Sequence, residues 1–214
     1  MTDNSAQKSE QLMLAFVHGR ICSIQNDYLS ASGKPRGARK LATLRHALLM
    51  PIGSNADAWP LEFEGLPAEL VGGGIEPSWA ETAVHAALTL YAVHQQGKTK
   101  PMYVPGDEHS FGAALRRLVW SDKGRYSNLE EGEMPRRFRA FITADSMEEA
   151  LHHARQLIQQ LRVAEIPVDY ARFAAQLYKL QSPYTADKVR LAWGREYSRI
   201  PKAESGIDAS PSEE

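Results

Sequence analysis

The sequence predicts an all-α protein: a multi-helix bundle, with room for two small helical subdomains. Three observations lead there. Apolar residues recur at helical spacing over most of the chain. No stretch sustains the polar–apolar alternation of a half-buried strand. Helix signals punctuate the chain, with capping residues before apolar runs and Gly or Pro after them. At 214 residues, 43% of them apolar, there is enough material to bury a substantial core.

The first helix is expected over residues 6–29, with Leu12, Phe16 and Val17 inward. Gly33-Lys34-Pro35-Arg36-Gly37 reads as a break. A second helix is expected over 38–49, stopping at Pro51. Its Leu41, Leu44 and Leu48 form one stripe, Arg36, Arg39, Thr43 and His46 lie opposite, and Arg45 flanks the stripe. Residues 52–77 form a Pro/Gly-rich acidic connection, long for a compact domain and suited to wrapping the core or meeting a partner. Residues 78–96 resume a helix with Trp79, Ala83, Ala86, Leu90 and Val93 on one face, and Gly97 ends it. Ser110 is an N-cap for 111–120, placing Phe111, Ala114, Leu115 and Leu118 inward and Arg116 outward.

A loop rich in Gly, Ser and Glu leads to a short helix over 136–143. Ser146-Met147-Glu148-Glu149 has capping-box spacing and opens a helix reaching 163. Pro167 separates it from a helix over 170–180. The last helix spans 185–198 on Val189, Ala192 and Trp193. The domain reading is one helical domain over 1–200. Residues 201–214 turn to Ser, Ala, Asp and Glu, a composition that favours a disordered acidic tail.

Charge segregation is the feature most relevant to function. The net charge of -1 hides it. Between Arg20 and Arg45 the only acid is Asp27; no Lys or Arg then occurs until Lys98, while Asp57, Glu62, Glu64, Glu69, Glu76 and Glu81 fill the gap. Cations return as Arg116-Arg117, Arg136-Arg137 with Arg139, and Lys188, Arg190, Arg195 and Arg199. Arginine outnumbers lysine, and its planar fork suits bidentate phosphate contact. Gathered on one side, these blocks make a nucleic-acid-binding face; dispersed, they are ordinary solvated helix faces.

Other chemistries find less support. Cys22 is the sole cysteine, so no internal disulfide forms, and a reducing cytosol fits. There is no apolar run of bilayer length and no secretory signal at the N-terminus, so no membrane partner is expected. Gly97-Lys98-Thr99 ends like a P-loop, but Ala92 stands where glycine is required and a helix precedes it. Glu149 and His152 have Glu-x-x-His spacing, and Glu81 with His85 adds an i,i+4 pair, yet a di-iron bundle needs two such motifs facing inward. No catalytic constellation is legible, so neither enzyme activity nor a cofactor or metal is expected.

Several segments, taken in order, resemble the CasB family, the small subunit of the type I-E CRISPR surveillance complex Cascade. Arg39-Lys40-Leu41-Ala42-Thr43-Leu44-Arg45 is similar to its early basic helix. Residues 87–97, ALTLYAVHQQG, and the run from Ser110 through Gly112 to Leu118 come next. Arg136-Arg137-Phe138, Val168-Asp169-Tyr170 and residues 189–197 complete the series. The resemblance implies a non-catalytic cytoplasmic subunit. Its partners would be a second copy of itself, the Cascade backbone subunits and large subunit, guide RNA, and the single strands of target DNA in an R-loop. Carried over by position, Arg39, Lys40, Arg136, Arg137, Lys188 and Arg190 are nucleic-acid-binding candidates. Helix-face reasoning adds Arg45, Arg116, Arg139 and Arg155. The alternatives are a protein–protein assembly subunit without nucleic-acid contact, and a di-iron helical bundle.

Overall fold

The structure, a computed structural model, describes residues 3–48, 50–121 and 133–199. In chain order its helices are α1 (Asp3–Leu29), α2 (Lys34–Ala47), α3 (Trp59–Glu62), α4 (Trp79–Gln95), α5 (Phe111–Ser121), α6 (Glu133–Ile142), α7 (Met147–Val163), α8 (Tyr170–Leu180) and α9 (Ala186–Ser198). Single 3-10 turns lie at Ala56–Ala58 and Asp107–His109. Among the described residues the only β-type pairing is an isolated parallel bridge between Tyr103 and Val168. The fold is all-α. The loop before α6 and the acidic tail expected at 201–214 lie outside the described residues.

The bundle is organised around α4. Every residue from Ala83 to Gln95 is buried, so this helix has no solvent face, as a run of Ala, Val, Leu and Tyr favours. Helices α1, α2, α7 and α8 pack on it. Its start is a full capping box: Ser78 Oγ accepts from the Glu81 amide at 3.0 Å, and the Glu81 carboxylate accepts from the Ser78 amide at 2.6 Å. Gly97, with φ of 73°, ends it in the left-handed conformation that glycine adopts freely. Trp79 departs from its sequence-based placement: it is about half exposed, because the first turn of α4 projects beyond the helices that enclose the rest.

Residues 34–37 do not break the chain; they are the first turn of α2. Pro35 is tolerated there because first-turn amides have no intrahelical acceptor. Gly37 is buried at the crossing with α1, where a Cβ would come within 2.5 Å of Tyr28 Cα. Asp27, near the end of α1, ties the hairpin together, accepting from Arg36 at 2.5 Å and Lys40 at 2.8 Å. These two cations hold its carboxyl well below the usual carboxylate range.

The 52–77 connection wraps the core. Leu61, Leu66 and Leu70 join the main cluster, and buried Glu62 reaches the His85 ring of α4 at 3.0 Å. On the other side of the bundle, aromatic rings pin four helices. Phe111 of α5 stacks on Phe173 of α8 at 4.4 Å, and Phe141 of α6 meets Trp193 of α9 at 4.9 Å. The Trp193 indole N–H donates to Gln176 Oε1 at 2.7 Å. The cap of α7 differs slightly from expectation: Ser146 Oγ accepts from the Glu149 amide, but the Glu149 carboxylate accepts from Asp145 N rather than Ser146 N.

Two outcomes test this packing. Gly37→Ala forces α1 and α2 apart and lowers unfolding free energy by about 1–3 kcal/mol, whereas Gly73→Ala, where a Cβ meets nothing within 4 Å, leaves the urea midpoint near wild type. His94 is fully buried, its Nδ1 2.9 Å from the Tyr170 hydroxyl. Burial above all, with the Lys98 and Arg162 charges, lowers its pKa to about 3. The unfolded chain, titrating near 6.5, then binds the proton that the fold refuses. The His94 contribution to stability is therefore complete above about pH 6.5 and lost progressively as pH falls toward 3. Urea midpoints of wild type and His94→Gln should converge over that window; a constant gap would refute the assignment.

Candidate nucleic-acid interface

The cationic candidates divide by what their helices bury. On α6, Phe138 and Phe141 are the buried anchors. Arg136 and Arg139, one turn apart on the opposite side, are exposed, and neither forms an ion pair among the described residues. Arg137 between them is half-buried. A short amphipathic helix thus holds two guanidinium groups outward on a rigid aromatic base.

On α2 the candidates point in different directions. Lys40 turns toward α1 and Asp27. Arg45 turns toward α7; burial is the main influence lowering its pKa, and the nearby Arg162 charge lowers it further. Arg39 is exposed, about 120° around the helix from Arg45. Arg162, which sequence reasoning passed over, donates Nε to the Gln96 carbonyl at 3.0 Å and so covers the C-terminal end of α4. Its only sequence signal was its place two turns beyond Arg155 on α7.

Helices α2 and α7 both rest on α4 and leave a groove of about 660 Å³ between them. Leu48, Met50 and Ile52 form one wall, Met147, Leu151 and Arg155 the other, and Thr82, His85 and Ala86 the floor. Arg155 Nε is buried without a hydrogen-bond partner. The sequence pairing of Glu81 with His85 does not form: Glu81 caps α4 and His85 takes Glu62. Exposed His152 lies 2.9 Å from the Gln156 amide nitrogen. No group of three or more metal-ligating side chains converges among the described residues.

Arg116 corrects the sequence reading. It is 5% exposed, because α9 covers the side of α5 that helical periodicity left open. Gly112, one turn earlier, permits this approach; a Cβ there would lie 2.8 Å from the Trp193 carbonyl. Arg116 then donates Nη1 to the Glu196 carbonyl at 3.0 Å, satisfying an orphan acceptor at the α9 terminus. On α9, Arg190 donates to the Ile142 carbonyl at 2.7 Å and to Asp187 at 3.0 Å. Exposed Lys188 lies near the opposite edge, beside a hollow shared with Glu10 and Lys179. Arg116 and Arg190 are thus tied to the fold, and Lys40 to an acid. Arg39, Arg136, Arg139 and Lys188 stand free of ion pairs among the described residues.

This sorting has a measurable consequence. Arg116→Ala strips a buried acceptor of its donor and should cost about 1–3 kcal/mol, while Arg139→Ala should leave thermal unfolding within about 0.5 kcal/mol of wild type. Equal losses would show that exposure misjudges the two side chains.

Comparison with known proteins places this arrangement. Residues 40–197 match the family model described as CRISPR-associated protein Cse2. The crystal structure of CasB from Thermobifida fusca superposes with a TM-score of 0.69 at 31% identity, covering 87% of this chain and 97% of that one. A Cse2-family CRISPR-associated protein from Thermus thermophilus gives 0.58 at 20% identity, covering 85% and 96%. CasB from M. ruber gives 0.54 at 19%, covering 74% and 83%. These last two share the fold. None of the curated proteins matches. With the family model spanning α2 to α9 and a helical relative covered almost end to end, the chain belongs to the Cse2/CasB family of CRISPR-associated proteins.

Proposed function

We propose that this chain is a non-catalytic small subunit of a type I-E RNA-guided surveillance complex. In that role it holds the target strand and the displaced strand of the R-loop by phosphate contact and bridges the backbone subunits. The observation that carries the reading is the exposed pair Arg136 and Arg139 on α6, without ion-pair partners among the described residues. Such groups offer bidentate donors to phosphate at little desolvation cost. Arg39 on α2 and Lys188 on α9 extend the cationic surface to other helices, so strand contact is distributed rather than confined to one cleft.

The physics suits a guided machine. R-loop formation exchanges one duplex for another at nearly balanced free energy, so modest protein contacts tip it. Phosphate contacts carry no base readout and impose no sequence preference on a guide-directed process. A bridging role finds support in the wrap around α3, where Trp59, Val71, Ile75 and Trp79 present exposed apolar surface amid acidic residues. Exposed tryptophans of this kind anchor protein interfaces.

Arg39→Ala, Arg136→Ala and Arg139→Ala combined should weaken binding of single-stranded DNA and reduce the slope of log K against log salt by roughly 2, at about 0.7 per phosphate contact, with sequence preference unchanged. An unchanged slope would remove these residues from the interface. Affinity purification of the wild-type chain from its native cells should recover a discrete guide-length RNA with a repeated backbone protein. Recovery of the chain alone would overturn the complex-subunit reading.

A further inference from the structure

Residues 71–77 form a loop that the cap of α4 closes. Ser78 Oγ, which accepts from the Glu81 amide, also donates to the Leu70 carbonyl at 2.8 Å. Gly72 passes so near that a Cβ there would lie 2.9 Å from Glu81 Oε2. The loop ends therefore meet at the start of α4. Val71 and Trp79, each adjacent in sequence to one partner of the Ser78–Leu70 bond, flank the closure. Both are about half exposed, and Ile75, near the middle of the loop, is fully exposed. A single apolar side chain on a surface needs no explanation, but three around one pinned loop mark a contact surface.

Beside Trp79 the surface is hollow. Gln181, at the end of α8, donates to the Trp79 carbonyl at 2.8 Å. A pocket of about 280 Å³ opens there between Trp79, Leu180, Ala144 and Met147. Two charged side chains also line it, Asp145 and Arg190. Asp145 is exposed, whereas Arg190 is already held by the Ile142 carbonyl and Asp187. On the loop side Glu76 follows Ile75 and is exposed, and no Lys or Arg occurs between residues 46 and 97. The charge around the apolar side chains is therefore negative. Such a surface repels a polyanionic strand and attracts a cationic protein.

We propose that the Ile75 loop and the Trp79 pocket form the docking site for a positively charged protein surface that inserts one apolar side chain beside Trp79. The inference rests on the bridging reading above and names the partner chemistry of that contact. The pocket holds one large side chain, and anchors seated in this way carry most of the energy of an interface. Val71 and Ile75 extend the apolar contact around it. Glu76 and Asp145 at the rim steer the cationic partner and disfavour an acidic one. The chain then meets nucleic acid and protein through surfaces of opposite charge.

The test places a photo-cross-linker in the full-length chain, Ile75→p-benzoylphenylalanine, which keeps the loop apolar. Irradiation in the native cells should give one protein adduct. Its cross-linked peptide, sequenced by mass spectrometry, should carry net positive charge and an apolar residue at the point of attachment. Adding Glu76→Lys and Asp145→Asn should cut the adduct yield about tenfold, because like charges facing across an interface are disfavoured. Both positions are exposed, so the urea midpoint should stay near wild type. Trp79→Ser should lower the yield as far. A yield indifferent to these substitutions, or no adduct at all, would overturn the proposal. An adduct to nucleic acid, to an acidic peptide or to a second copy of this chain would do the same. A basic partner cross-linked in an assembly without guide-length RNA would uphold the docking and sink the surveillance-complex reading. Guide RNA and a repeated backbone protein recovered with no adduct would sink the docking alone.

Discussion

Burial of α4 on every side is the constraint on which the rest of the structure depends. A helix with no solvent face must be enclosed, and α1, α2, α7 and α8 do so. Their apolar stripes are thereby committed inward, and their polar residues are committed outward. The cationic surface is a by-product of this geometry: Arg39 sits where α2 turns away from its Leu41 and Leu44 stripe. The enclosure also brings polar groups inside, and those of α4 take partners on at least one side. His85 has Glu62, His94 has Tyr170, and Thr89 donates to the His85 carbonyl at 2.7 Å.

Within that frame, identity of charge says little about role. Arg116, Arg172 and Arg190 are structural ties between helices, and Arg172 binds both Asp107 and Glu196. Arg136 and Arg139 carry the same guanidinium but spend it on nothing in the described fold. The difference lies in the neighbouring helix. Where α9 presses on α5 an arginine becomes a cap, and where α6 faces outward it stays available for a ligand.

Much of the fold was legible in the sequence because its helices are punctuated by local chemistry. The bounds of α7 and α8 agree with the expected 147–163 and 170–180, since Ser146 and Asp169 accept from the N3 amides and pin each start. The Leu41 and Leu44 stripe and the end of α4 at Gly97 were readable for the same reason. The features that stayed hidden depend on which helix comes to lie against which. Periodicity has no way to tell that α9 covers Arg116, that the first turn of α4 leaves Trp79 outside, or that Glu62 rather than Glu81 meets His85. The α6 arginines were legible as a cluster.

The stretch joining α4 to α5 is held by two glutamine side chains. Gln25 of α1 accepts from Tyr103 N and donates to Tyr103 O, both at 3.1 Å. Gln95 of α4 accepts from Met102 N and donates to Lys100 O, both at 2.9 Å. These amides stand in for the neighbouring strand that a helical protein lacks. Mechanically the segment is a crosspiece bolted to two helices. Sliding of α1 along α4 would rack it, and through the Met102 and Val168 backbone contact the displacement would reach the start of α8.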